Sequence, residues 1–307
     1  MATGFVAAVL LQVLMRQPSD AFHAAWLRDA LVVAHSHNDY EQNEPLALAL
    51  RAGFPSVEAD VWWRGGDIVV SHSPFGNRGG LEELYLRPLQ DRVAALGSVH
   101  ADGRPFYLWI ELKESSRELT DALYRVLERY PMLTVFRDEG VVPGPVTVIL
   151  TGDDEAKRRY VDEHAVRRAC RDSHDFAYGD APADHRWTWY ALTWTRMVDP
   201  RAALFSLRTA LEPMRRMVEE AHRLGRRIRV YQVPEQEEAW AAAIEAGVDL
   251  IGTDDIEAFR RFLLSRSSEQ VRYVSAEVPS LPLASLAAAR PGMHLDPGGG
   301  APREPAR

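Results

Sequence analysis

The sequence predicts a single (β/α)8 TIM-type barrel. Three observations carry this. Short β-rich runs alternate with helical ones from Leu31 to Leu264, about eight of these runs fit into some 230 residues, and several of them end in acids or imidazoles. An open doubly wound sheet is the competing arrangement. The chain contains neither G-x-G-x-x-G nor G-x-x-x-x-G-K-[ST], the phosphate loops that such nucleotide-binding sheets use. No repeat of solenoid period is present.

The chain opens on an almost wholly apolar stretch, Met1 to Met15, followed by Arg16-Gln17-Pro18-Ser19-Asp20. Its length suits the hydrophobic region of a signal peptide, yet no basic residues precede it. Residues 1–20 therefore read either as a signal segment or as an N-terminal helix covering the bottom of the barrel, which leaves export and a cytoplasmic location both open. Residues 21–266 are assigned to the barrel. Its candidate strands are Leu31–His35, Ser56–Val61, Phe106–Leu112, Val146–Thr151, Asp175–Tyr178, Trp189–Trp194, Arg227–Val233 and Leu250–Thr253, with an extra strand, Asp67–His72, after the turn Gly65-Gly66.

Helical stretches fall between them: Pro45–Ala52, Pro88–Leu96, Ser116–Tyr130, Asp154–Arg171, Ala203–Leu224, Glu235–Ala246 and Asp255–Leu264. Pro45 suits a first turn, and Pro213 should kink or split the fifth helix. Gly225 and Gly247 lie where helix C-caps belong. Residues 267–307 turn rich in Ala, Pro, Ser and Gly, bury little, and predict a disordered tail.

With 307 residues, 46% of them hydrophobic, the chain can bury a large core. A net charge of −8 gives no support to a nucleic-acid partner. The local basic runs (Arg215-Arg216, Arg223, Arg226-Arg227, Arg229) read as a solvated helix face. Beyond the N-terminus no segment reaches the length of a membrane span, so no integral membrane domain is expected. Cys170 is the single cysteine, which excludes an intramolecular disulfide and a zinc site built from several cysteines; in the helix-like run Val166–Arg171 it reads as a small buried residue.

The chemistry concentrates at strand ends. Glu58-Ala59-Asp60 and Glu111-Leu112-Lys113 each close an apolar, β-prone stretch, and in a strand residues i and i+2 share a face. A lone E-x-D is common on surfaces, but this one interrupts the buried-type run Pro55–Trp62. His35 ends the first strand and His72 the inserted one. Three clustered carboxylates repel, and one hard divalent cation, Mg2+ or Ca2+, is the natural relief. Lys113 can offset the acids or hold a phosphate oxygen. The set suggests a metal-assisted phosphoryl-transfer site at the C-terminal mouth, where barrels keep their chemistry. Trp62, Trp63, Trp109, Trp189, Trp194 and Tyr231 lie near strand ends, mostly as packing residues.

The ordered motifs Val33-Ala34-His35, Val57-Glu58-Ala59-Asp60-Val61, Val69-Val70-Ser71-His72 and Ile110-Glu111-Leu112-Lys113 resemble the glycerophosphodiester phosphodiesterase and phospholipase-C-like barrel superfamily. His35-Ser36-His37-Asn38-Asp39-Tyr40 with Ser56–Trp62 is similar to its branch named after altered inheritance of mitochondria protein 6, and Gly247–Asp254 resembles the superfamily's last strand. The resemblance spans roughly residues 31 to 264. It implies catalytic histidines at His35 and His72, metal ligands at Glu58, Asp60 and Glu111, and a supporting Lys113. The arginine that follows the first histidine in glycerophosphodiesterases is Ser36 here, which passes its phosphate-binding role to His37, Asn38 or Lys113. Ser73 follows His72 where aspartate is common.

The expectation is a metal-dependent phosphoric diester hydrolase acting on a small phosphodiester or phospholipid-derived substrate. It would work by hydrolysis or by transfer to a cyclic phosphate. Two other readings compete. In an amidohydrolase-type barrel His35 and His37 would bind zinc and Asp254 would close the site, but His164, His174 and His185 fall outside the expected strands, and Glu58, Asp60 and Glu111 are left unexplained. A barrel that only binds a phosphorylated ligand would have no need of both His35 and His72.

Overall fold

The structure, a computed structural model, describes residues 29–199, 201 and 207–277. The expected N-terminal segment 1–20 and the tail from 278 onward lie outside the described residues. The chain divides into two compact units, Met1–Ser268 and Glu269–Arg307. All strands among the described residues belong to the first.

Eight parallel strands close on themselves: β1 (Ala34–Ser36), β2 (Ser56–Arg64), β3 (Phe106–Leu112), β4 (Val146–Gly152), β5 (Ala169–Ser173), β6 (Trp187–Thr193), β7 (Arg227–Tyr231) and β8 (Leu250–Thr253). Each pairs with the next, and β1 pairs with both β2 and β8, which completes a TIM barrel. Helices α1 (Ala47–Ala52), α2 (Arg87–Leu96), α3 (Arg117–Leu127), α4 (Asp154–Glu163), α5 (Glu212–Arg223), α6 (Glu237–Glu245) and α7 (Ile256–Glu277) connect and cover the strands. After β2 the chain turns at Gly65-Gly66, both with positive φ, as a tight hairpin requires. The returning strand Asp67–Val70 pairs antiparallel with β2 and carries His72 back over the barrel mouth.

Alternation along the strands separates two cores. Val57, Ala59, Val61, Leu108, Ile110, Val148 and Leu150 face outward into the layer packed by Leu119, Leu123, Trp240 and Phe259 of the helices. Inside the barrel, Trp109, Ile149, Cys170, Trp189, Ala191 and Leu250 form a plug, with the two indoles edge to face at 5.3 Å. At the next inward position, two residues further along, the side chains turn polar: Asp60, Glu111, Thr151 and Asp172. β2 and β3 pair so that Asp60 lies opposite Glu111, and β4 sets Thr151 beside Glu111. Gly152 ends β4 with φ 85°, and a Cβ there would stand 2.5 Å from the Leu112 carbonyl oxygen, so only glycine lets β4 close over β3.

Several sequence expectations need correction. β1 runs Ala34–Ser36 and so ends one residue beyond His35. The fifth strand is Ala169–Ser173, not Asp175–Tyr178; the latter belongs to the irregular loop between β5 and β6. The preceding helix stops at Glu163, because Ala169–Arg171 are taken up by pairing with Val148–Leu150, which buries Cys170 inside the barrel. The fifth helical stretch, by contrast, is split as Pro213 predicts: Pro213 falls in the first turn of α5, with a separate short helix Leu207–Ala210 before it. The last helix continues to Glu277 instead of ending at Leu264. Arg226 and Arg229 are buried, not part of a solvated face. Arg226 donates to the Pro182 and Trp187 carbonyls at 3.3 Å and lies 3.6 Å over the Trp187 ring.

Lys157 of α4 reaches under the mouth and meets Asp172 Oδ1 at 2.7 Å, both side chains sealed from solvent. Burial alone would raise the Asp172 carboxyl, but Lys157 and His174 pull it down to about 2. A carboxylate depressed in the folded state adds stability above its unfolded value, here of order 2 kcal/mol above pH about 4. That stability is lost as pH falls toward 2. Acid titration of the unfolding free energy should therefore show a steeper loss between these limits in the wild type than in Asp172→Asn. Lys157→Met, which strands the carboxylate, should cost about 3–5 kcal/mol in denaturant unfolding.

Candidate active site

The polar mouth is organised by cations that the chain itself supplies. Arg229, on β7, is buried in the barrel with its guanidinium 4.3 Å over the Trp109 ring. Its Nη1 donates to Glu58 Oε1 at 2.5 Å and to His35 Nε2 at 2.9 Å. Burial by itself would raise the Glu58 carboxyl, but Arg229, His35 and His37 hold it ionised, well below the usual carboxylate range. On the neighbouring strand, Lys113 Nζ stands 2.9 Å from Glu111 Oε1 and 3.2 Å from Asp60 Oδ2. Burial and then repulsion from Glu111 and Glu58 push the Asp60 carboxyl up to about 6.

The two histidines at the first strand take different places. His35 lies level with Ser56, is wholly buried, and its Nδ1 is 2.7 Å from Ser56 Oγ. Because Arg229 donates to Nε2, the proton belongs on Nδ1, and both ring nitrogens are engaged. Burial, reinforced by Arg229, lowers this imidazole to about 4, so it is neutral at physiological pH. His35, expected as a catalytic residue, therefore has both ring nitrogens engaged within the chain in this structure. His37 stands one layer higher and retains some solvent exposure. Its Nδ1 bonds Asp254 Oδ1 at 2.8 Å and its Nε2 lies 3.7 Å from Glu58 Oε2. Burial works against its charging, yet the Asp254 hydrogen bond and the Glu58 carboxylate raise His37 above its ordinary value.

His72 overhangs the site from the hairpin, with 64% of its side chain exposed. Tyr40 is buried, and its hydroxyl donates to Asp60 Oδ2 at 2.7 Å. His72 Nδ1 lies 3.1 Å from that same oxygen and 3.2 Å from the Tyr40 oxygen. The tyrosine proton being spent on Asp60, His72 donates from Nδ1, so that in the neutral imidazole Nε2 carries the lone pair. Asn38 has left-handed backbone (φ 45°) that turns the chain out of β1, and its Oδ1 lies 3.1 Å from the Tyr40 hydroxyl. Asp39, beside it, is buried and accepts from Ser36 Oγ, the Leu46 amide and Tyr85, fixing the loop between β1 and α1.

The structure thus brings Glu58, Asp60, Glu111, Lys113, His37, Asn38 and His72 to one mouth. Among the described residues no three acids, histidines or cysteines stand close enough together, as they are, to hold a metal ion. Lys113 and Arg229 occupy part of the carboxylate surface. Two oxygens still suit a hard cation: Glu58 Oε2 and Asp60 Oδ1 are buried and accept no hydrogen bond among the described residues. Sequence reasoning missed Arg229, Tyr40, Asp172 and His174. Alternation was the available signal for Arg229, which shares a face of β7 with Tyr231 just as Glu58 and Asp60 share one of β2.

A closed parallel barrel with acids and imidazoles at its C-terminal mouth defines a phosphodiesterase-like barrel, and the AIM6-like phosphodiesterase domain is matched over residues 26–170. The chain belongs to the family of altered inheritance of mitochondria protein 6. It is 30% identical to the Eremothecium gossypii protein of that name over 295 residues, spanning 80% of this chain and 73% of that one. A homolog from Arthroderma benhamiae is 26% identical over 278 residues, 75% of this chain and 83% of its own. The barrel is also similar to that of a glycerophosphodiester phosphodiesterase from Parabacteroides distasonis, at a TM-score of 0.50 and 13% identity, over 76% of this chain and 97% of that one. At that identity the likeness concerns the fold alone.

The Arg229–Glu58 pair can be tested without substrate. Arg229→Met should cost about 3–5 kcal/mol by leaving a buried carboxylate uncompensated. Adding Glu58→Gln should recover at least about 2 kcal/mol of it in a denaturant double-mutant cycle. Strictly additive losses would show that the pair carries no coupling.

Proposed function

We propose that this protein is a metal-dependent phosphoric diester hydrolase whose acid/base pair is His37 and His72. The observation that carries this reading is the pairing of two unpartnered, buried carboxylate oxygens, on Glu58 and Asp60, with a fixed imidazole on either side of them. Glu58, Asp60 and Glu111 would hold Mg2+ or Ca2+, which when bound neutralises the non-bridging phosphate oxygens. Glu111, half-exposed, would exchange its Lys113 contact to join them, and Lys113 is then placed to meet a phosphate oxygen.

The remaining work falls to the chain's own groups. His72, held by Asp60 and Tyr40 through Nδ1, takes a proton at Nε2 from the attacking water, or from a neighbouring substrate hydroxyl where the product is a cyclic phosphate. The oxygen so freed bonds to phosphorus as the bond to the leaving oxygen breaks. His37, backed by Asp254, gives its proton to that leaving oxygen. Arg229 stays beneath, keeping Glu58 ionised and His35 neutral. The same contacts argue against an amidohydrolase-type zinc site. That site would need open nitrogens on both His35 and His37, and both His35 nitrogens are occupied.

Turnover of bis(p-nitrophenyl) phosphate with Mg2+ or Ca2+, and its loss on chelation, tests the reading. His72→Ala and His37→Ala should each lower kcat by about 10²–10⁴-fold. Glu58→Gln should abolish turnover together with the rise in melting temperature on adding the cation. A wild-type protein that gains neither turnover nor thermal stability from any divalent cation would overturn the assignment, and binding without turnover would leave a phospho-ligand receptor. Phosphorus NMR of the products separates hydrolysis from cyclisation.

A further inference from the structure

We propose that the N-terminal pole of the barrel, opposite the mouth, holds a second binding site, which takes a small apolar carboxylate on Arg227 and Arg260. The site shares no residue with the phosphodiesterase reading and does not depend on it.

A cavity of about 580 Å3 opens at this pole. Its volume lies in the range that small-molecule sites occupy. The starts of the parallel strands build it: Tyr107 near the beginning of β3, Trp189 of β6 level with Arg227 of β7, and Leu250 at the first position of β8. Leu31 and Pro55 extend the apolar wall, and Val32, which lines the same cavity, carries that wall out to solvent with 52% of its surface exposed. Arg260 joins from the first turns of α7.

Directed donors set the charge of the ligand. The Arg227 guanidinium lies 5.8 Å from the Tyr107 ring centre and 5.5 Å from that of Trp189, and its Nη1 donates to the Tyr107 hydroxyl. Arg260 Nε donates to the Ala52 carbonyl at 3.1 Å. A guanidinium carries five N–H donors. Among the described residues no carboxylate pairs with either arginine, and their other N–H groups meet no acceptor of the chain. The remaining charges of the lining are already engaged. Arg51 pairs with Glu44, and Arg104 with Asp29. Asp249 Oδ2 accepts from the Ile228 amide at 2.8 Å and from His222 at 2.9 Å, while Asp102 Oδ1 accepts from the Arg104 amide at 3.0 Å. These two aspartates bring the cavity near neutrality, which disfavours a phosphate dianion. A single carboxylate carries less charge, and its two oxygens match the guanidinium fork. The apolar walls then call for an apolar body behind that carboxylate.

Calorimetric titration of the full chain tests this by comparing decanoate and 2-naphthoate with their uncharged amides. At least one acid should bind about tenfold more tightly than its amide, the scale of a hydrogen bond to a charged group. Which acid does so tells an acyl ligand from an aryl one. Arg227→Gln and Arg260→Gln should each bring the ratio close to one while leaving amide binding unchanged, and the second variant stands in if the first fails to fold. Val32→Asp, an exposed change that adds a negative charge to the cavity wall, should weaken the acid and spare the amide. Lys113→Met, at the other end of the barrel, should leave the affinity for the acid as it is; a loss there would place the acid at the mouth and overturn the inference. Equal affinity for acid and amide in the wild type overturns it too, as does a preference that survives in both arginine variants. So does failure of both acids to bind the full chain.

Discussion

The buried ion pair between Arg229 and Glu58 sets the terms for the rest of the mouth. A carboxylate inside a closed barrel has no water to solvate it, and without a cation it would take up a proton. The guanidinium removes that option and, with its second N–H, dictates the tautomer of His35. His35 thereby becomes part of the floor. Above it stand two imidazoles that still have a nitrogen to offer, His37 and His72.

The inward face changes character over one strand repeat. Up to Trp109, Ile149 and Cys170 the barrel is plugged with apolar side chains; at the next inward positions it carries Asp60, Glu111, Thr151 and Asp172. Each buried acid there has a basic partner from a different element: Arg229 from β7, Lys113 beyond β3, Lys157 from α4. The pairings divide the mouth into two halves, one around Glu58 and Asp60 and the other around Asp172. Tyr231 stands between them.

Much of this was legible in the chain, for physical reasons that can be traced. Glu58 and Asp60 stood out because acids inside a run such as Ser56–Val61 violate the rule that buried-type strands are apolar. The barrel followed from the alternation of elements. The fifth strand escaped because Ala-Cys-Arg-Asp-Ser has little β-propensity of its own and is held by its neighbours' hydrogen bonds. His35 was named because it closes the candidate strand Leu31–His35 and because the family resemblance implies it; β1 continues to Ser36, and His37 is the imidazole that keeps some exposure. Arg229 was read as solvent-facing because its neighbours in sequence are basic too. Only the register with β6 and β8 puts it inside. Tyr40 and His174 depend on contacts across 20 residues or more, which no local pattern encodes.

Glu58, Asp60 and Glu111 each already lie against an arginine or lysine of the same chain. A protein so counterbalanced needs no inorganic ion to reach its native form, unlike small domains that are unfolded until metal arrives. On the metal-dependent reading proposed above, scarcity of divalent ions would silence the molecule without depleting it, and a pool of intact, idle copies would resume work once supply returned.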